Sequence, residues 1–169
     1  MTDWEWIPAF AEMMDWSTLR AHDPTPHVHA VNGDNRMSEV SAFWSKWSPA
    51  LLSVLRIVTA FLFMEHGAQK LFGVPGAGDH TVELMSLMGL AGVLEFFGGL
   101  LILLGLFTRP VAFILSGEMA FAYFMAHAPG GFWPALNQGE GAVFYCFAFL
   151  YFSAAGAGPW SLDRMLRKV

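Results

Sequence analysis

Charge is scarce in this 169-residue sequence, and the scarcity is uneven. Asp, Glu, Lys and Arg make up 14% of the residues, against about 25% in an ordinary soluble domain. Residues 1–48 hold ten of those 23 side chains, while residues 49–158 hold nine. Basic residues are the fewer, 9 against 14, for a formal net charge of −5. No basic stripe exists to displace counterions, so nucleic acid is excluded as a partner. Cysteine is almost absent. The single Cys146 rules out an internal disulfide, a CxxC redox pair and covalent haem attachment through CxxCH. Within an apolar run it reads as an inert buried thiol. Phosphate-binding glycine loops, HExxH and GxSxG are all missing. The acidic start, Met1 to Glu5, has no short apolar stretch behind it, so a cleavable signal peptide is not expected. His22, His27 and His29 lie in a Pro-containing stretch with no element to fix their spacing, and no metal site is expected there.

Long apolar runs are what the chain has instead. Hydrophobic residues reach 55%. A backbone in hydrocarbon must satisfy its own hydrogen bonds, so such runs fold as helices, and about 20 residues cross a bilayer. Four spans are expected: Pro49 to Phe72, Val82 to Phe107, Val111 to His127, and Gly141 to Ala157. The last two are near the short limit. Gly73-Val74-Pro75-Gly76, Thr108-Arg109-Pro110, Pro129-Gly130-Gly131 and Gly158-Pro159 punctuate them. The fold class is therefore an all-α, four-helix transmembrane bundle (residues 49–169) with a short cytoplasmic or interfacial extension (residues 1–48). Arg20, Arg36, Lys46, Arg109, Arg164, Arg167 and Lys168 share one side of this topology. The connections on the other side have no Lys or Arg. Both termini are thus expected to be cytoplasmic by the positive-inside rule. Trp44, Trp47, Trp133 and Trp160 fall near span ends, where an aromatic belt belongs.

The ionisable residues inside the spans carry the most information. A charge at a helix centre costs about 2.5–3.5 kcal/mol on insertion scales, so it needs a partner or a wet cavity. Counting about 1.5 Å per residue puts Arg56, Glu118 and Glu95 roughly 10, 13 and 17 Å deep. An Arg56–Glu95/Glu118 cluster is expected. Ala91, Gly92, Gly98 and Gly99 share the Glu95 face, and small residues let membrane helices approach closely. Gly67 and Lys70 share the Arg56 face, whereas Glu65 points the opposite way. The cluster reads either as structural glue that pins helix register or as a ligand, quinone or proton site. A second, outer layer holds His66, Lys70, His127 and Glu140. It reads as a quinone head-group or proton-relay site, or simply as interfacial residues bonded to loops. Bis-His ligation of haem is disfavoured. The tyrosines and ten methionines read as packing material.

Several strings together resemble the DoxX family. Leu55-Arg56 through Glu65-His66-Gly67-Ala68-Gln69-Lys70-Leu71-Phe72-Gly73 is similar to its first helix. Gly92 to Leu100 and Gly105-Leu106-Phe107-Thr108-Arg109-Pro110 resemble its second helix and turn. Glu118 to His127 and Gly156-Ala157-Gly158-Pro159-Trp160-Ser161-Leu162-Asp163 complete a likeness over about residues 50–164. The resemblance implies a bacterial inner-membrane protein of four helices, in a family whose members are commonly labelled oxidoreductases. It points to Arg56, Lys70, Glu95, Glu118 and His127 as the places to look.

Residues 1–48 exceed what that family pattern requires. Trp4, Ile7, Ala11 and Met14 share a helical stripe. With seven acidic and three basic residues, this segment suits a protein partner better than an anionic lipid surface. Two functional expectations result. One is a redox-associated subunit that binds a quinone or lipid-like ligand within the bundle. The other is a non-enzymatic accessory subunit that docks on a larger respiratory or photosynthetic membrane complex. A transporter is third, without a broken helix or inverted repeat to support it.

Overall fold

A computed structural model describes the backbone of residues 30–76 and 82–167, and side chains from Met37 onward. All regular structure among these residues is helical. Helix α1 runs Ala30–Phe72, α2 Leu87–Leu104, α3 Thr108–Gly130, α4 Pro134–Asn137, α5 Glu140–Ala155 and α6 Leu162–Leu166. Two compact units divide between Phe43 and Trp44, and the hydrophobic core belongs to the larger one. The stripe of Trp4, Ile7, Ala11 and Met14, and the His22, His27 and His29 cluster, lie outside the described residues.

Among the described residues, three helices are long and apolar enough to cross a membrane: Met37–Phe72 within α1, Leu87–Leu104 and Thr108–Gly130. The fourth apolar helix, α5, has 16 residues, or about 24 Å by helical rise. The main departure from the expected spans is the start of α1. Pro49 does not open the helix but lies inside it. A proline within a membrane helix is tolerated when neighbours satisfy the freed backbone groups, and nothing between Met37 and Ser48 breaks the helical pattern.

Helix ends follow local chemistry. Ser86 caps α2, its Oγ accepting from the Gly89 N–H at 3.0 Å, as an N-cap serine does. Gly105, at φ +66°, ends α2 in the left-handed region, which costs glycine nothing. The core joins Ala60 and Phe63 of α1, Ile102 of α2, Ala112, Leu115 and Met119 of α3, and Phe149 and Phe152 of α5. The small residues do bring helices together. A side chain on Gly67 would lie 2.5 Å from the Phe96 nitrogen of α2, and one on Gly99 2.6 Å from Met64 of α1. Gly98 instead packs on Leu115 of α3. Outside this core, large apolar side chains such as Leu51, Phe61, Phe97, Phe113 and Phe147 are exposed, as lipid-facing positions should be.

Candidate functional site

Arg56 is 0% exposed, and its partners are not the expected ones. Nε donates to the Ala157 carbonyl at 2.8 Å, and Nη2 to Trp160 O at 2.5 Å. Nη1 donates to Leu103 O at 2.5 Å and also to Ile102 O. Ile102 and Leu103 belong to the last turn of α2, where carbonyls lack the i+4 N–H of a continuing helix; Ile102 O also accepts the Gly105 N–H at 3.0 Å. A cation there complements the negative end of the helix dipole. Arg56 therefore caps α2 and ties the tail after α5 back onto α1. Ser53 adds to this knot, its Oγ accepting from the Trp160 N–H at 3.2 Å. Asp163 interacts favourably with Arg56 through space.

The expected Arg56–Glu95/Glu118 pairing is thus corrected. Glu95 pairs instead with Lys70, Oε1 receiving a hydrogen bond from Nζ. Side-chain direction explains both outcomes. Helical side chains lean toward their own N-terminus. On α1 this carries Arg56 toward the end where α2 finishes. It carries Lys70 from its place near the end of α1 down into the bundle. Glu95 on the antiparallel α2 leans the other way, toward Lys70.

Glu118 completes the group from α3, interacting electrostatically with both Glu95 and Lys70. Glu95 is only 3% exposed. Three carboxylate oxygens here, Glu95 Oε2 and both of Glu118, are buried with no hydrogen-bond partner among the described residues. Such groups are rare in folded proteins and call for an explanation. Glu95 also sits in a π-turn, Leu94–Gly98, within α2, a distortion that occurs often at functional sites. One ammonium facing two carboxylates, with three free acceptor oxygens, can receive O–H or N–H donors from a ligand and can donate to a carbonyl.

The remaining candidates disperse. His127 lies in a second π-turn, Tyr123–His127. Its Nδ1 is 3.1 Å from Asn137 O, and its ring stacks on Tyr123. Tyr123 donates to Phe132 O, and Asn137 Nδ2 donates to Gly131 O at 2.6 Å. His127 is thus part of a brace for the loop between α3 and α5. His66 is exposed and meets Tyr145 edge-on at 6.0 Å. Glu140 is exposed in the first turn of α5, where a carboxylate favours the helix dipole. Among the described residues, no group of three or more His, Cys, Asp and Glu side chains is arranged to hold a metal. A cavity of about 380 Å³ between α3 and α5 has apolar walls that include Met119, Phe124, Trp133 and Phe147.

Asp163 was not among the expected site residues. Its carboxylate accepts the Phe107 N–H at 2.8 Å and the Thr108 N–H at 3.0 Å, capping α3 from the far end of the chain. Burial tends to raise its pKa, but the donors from Thr108 and Phe107, with Arg167 nearby, hold it below the ordinary range. A hint was available: Asp163 is the lone acidic residue in a basic tail.

The DoxX family model matches residues 51–128, which include Arg56, Lys70, Glu95 and Glu118. An uncharacterized protein of Haemophilus influenzae is 44% identical over 128 residues, covering 73% of this chain and 96% of the relative. The inner membrane protein YqjF of Escherichia coli is 32% identical over 130 residues, 68% of this chain and 91% of that protein. An uncharacterized membrane protein of Mycobacterium tuberculosis is 27% identical over 155 residues, 82% of this chain and 94% of that protein. No solved structure matches the chain.

Proposed function

This chain belongs to the DoxX family of membrane proteins, and on that premise we propose that it is a redox-associated inner-membrane subunit that binds a quinone-like ligand at Lys70, Glu95 and Glu118. The observation that carries this reading is the set of three buried carboxylate oxygens without donors among the described residues, beside a lysine. Intramembrane ionisable groups of this kind are functional by default. A quinone carbonyl is an acceptor for the Lys70 ammonium. A quinol hydroxyl is a donor for Glu118 or Glu95. The same three residues therefore offer partners to both forms of one head group. The basic residues Arg109, Arg164 and Arg167 support a cytoplasmic side for both termini through the positive-inside rule.

Purification in a mild detergent, solvent extraction and mass spectrometry test this reading. Wild-type protein should retain a quinone, and Glu118→Gln and Glu95→Gln should each lower its occupancy at least tenfold. Equal occupancy in wild type and both variants, or none in wild type, would reject it.

A second reading, an accessory subunit docked on a larger complex, is favoured by the length of α1. Its 43 residues are about twice what a bilayer crossing needs, and the surplus precedes the span. Native gels of solubilised membranes, with and without residues 1–40, test it. Unchanged migration would count against a docking arm.

A further inference from the structure

At the end of the bundle where α3 begins and α5 finishes, a cavity of about 280 Å³ opens between the α3 N-terminus and the tail. Arg109, Arg164 and Arg167 line it together with Asp163. All three arginines are exposed, and none has a carboxylate within ion-pair distance among the described residues. The single acid is already engaged, its two oxygens capping the Phe107 and Thr108 N–H groups. Three guanidiniums against one carboxylate leave two net positive charges. Arg109 is the sharpest anomaly. It stands in the first turn of α3, where a cation opposes the helix dipole and an anion is favoured. The floor is glycine: Gly156 and Gly158 have φ of +87° and +76°. A side chain on Gly156 would begin 3.5 Å from Arg109 Nε and narrow the cavity beside that guanidinium.

The surroundings indicate what kind of anion. Phe107, Trp160, Met165 and Leu166 are large, apolar and exposed at this end, so the rim lies against the membrane interface rather than bulk water. Planar guanidiniums suit phosphate oxygens, which they can bind in pairs. Basic pockets beside membrane helices take lipid head groups. We propose that Arg109, Arg164 and Arg167 form a site for a phosphate-bearing anion, supplied as the head group of an anionic phospholipid. The site is separate from the Lys70–Glu95–Glu118 group and does not depend on its ligand.

The test uses the full chain in a non-ionic detergent and phosphate-free buffer. Thermal unfolding is followed with phosphatidylglycerol, with phosphatidylcholine and with inorganic phosphate. Phosphatidylglycerol at about 100 times its Kd should raise Tm by roughly 5 °C or more, and phosphatidylcholine should leave it in place. The combined Arg109→Gln, Arg164→Gln and Arg167→Gln variant should weaken the lipid effect at least tenfold. Arg164→Gln alone, at an exposed position of a short helix, should weaken it about threefold and serves if the combined variant is not recovered. Equal responses to the two lipids, or a phosphatidylglycerol response retained by the variants, would overturn the proposal. Stabilisation by inorganic phosphate that phosphatidylglycerol does not exceed would overturn the lipid as its source.

Discussion

The bundle holds two cations on one face of α1, four helical turns apart, Arg56 buried and Lys70 partly buried, and they are treated in opposite ways. Arg56 is satisfied by backbone: four hydrogen bonds go to carbonyls of α2 and of the tail. Lys70 is answered by side chains, and they are left incomplete, with three carboxylate oxygens lacking donors among the described residues. A guanidinium with four of its five donors committed to backbone has little capacity left for a ligand. A group with spare acceptors beside a donor has more. The contrast gives Arg56 a structural role and supports the proposal of a ligand at the Lys70 site, although both are equally improbable residues in hydrocarbon.

The largest effect is expected from breaking the first of these. Arg56→Leu takes a donor from four carbonyls, and although Ile102 O keeps the Gly105 N–H, each buried polar group left unpaired costs about 1–3 kcal/mol. We expect Tm to fall by roughly 10 °C or more, or no folded protein to be recovered. Arg56→Lys keeps the charge but offers three donors to four acceptors, so it should rescue part of the loss. Wild-type thermal stability in Arg56→Leu would remove the assignment of Arg56 as the knot of the fold.

Lys70→Met comes next. It leaves Glu95 and Glu118 facing one another without a cation, and a carboxylate so placed takes up a proton rather than remain charged in low dielectric. That response limits the damage, so the fall in Tm should be smaller than for Arg56→Leu. Ligand occupancy should fall with it. A larger destabilisation than that of Arg56→Leu would reverse the ranking of the two sites.

These two sites were unequally legible in the sequence. The apolar runs announced the helices because lipid imposes a length and a composition on anything that crosses it. The glycines around Glu95 announced the close approach of α1 and α2. Neither Arg56 nor Lys70 announced its partner. Backbone carbonyls have no sequence signature, so the cage around Arg56 was invisible, and an acidic partner was the natural expectation. Residue counting placed Lys70 by its Cα at the outer end of α1. The four-carbon stem and the backward lean of helical side chains put its charge deeper, where Glu95 is. The π-turns at Leu94–Gly98 and Tyr123–His127 likewise have no pattern that a period of 3.6 would reveal.

Asp163 marks a third kind of charge, at the edge of the bundle rather than inside it, and a smaller effect. It caps α3 across 55 residues of chain, whereas most capping side chains belong to the residue just before the helix. Asp163→Asn keeps one acceptor oxygen and sets an amide against the other N–H. A loss of about 1 kcal/mol is expected, or roughly 2–4 °C in Tm. The pH dependence has a definite sign. The folded pKa lies below the ordinary value of 3.8, so the unfolded chain binds the proton more tightly. The contribution is complete above that value and is lost as pH falls below it. Asp163→Asn should therefore flatten the acid limb of the stability curve and leave neutral pH shifted by a constant amount.

The smallest stability effect separates the two cations most cleanly. Glu118→Gln replaces a carboxyl that interacts electrostatically with Glu95 and Lys70 by an amide of the same shape, and it leaves the Lys70–Glu95 pair intact. Neither Glu118 oxygen has a hydrogen bond to lose among the described residues. Thermal stability should stay within about 1 kcal/mol of wild type, because no partnered group is broken. Bound ligand should nonetheless fall at least tenfold, because the acceptor for its hydroxyl has become a neutral amide. Stability and occupancy would then move independently at Glu118, whereas at Arg56 they fall together with the fold. A Glu118→Gln protein that unfolds as readily as Arg56→Leu would show that both buried charges serve only to hold the helices in register.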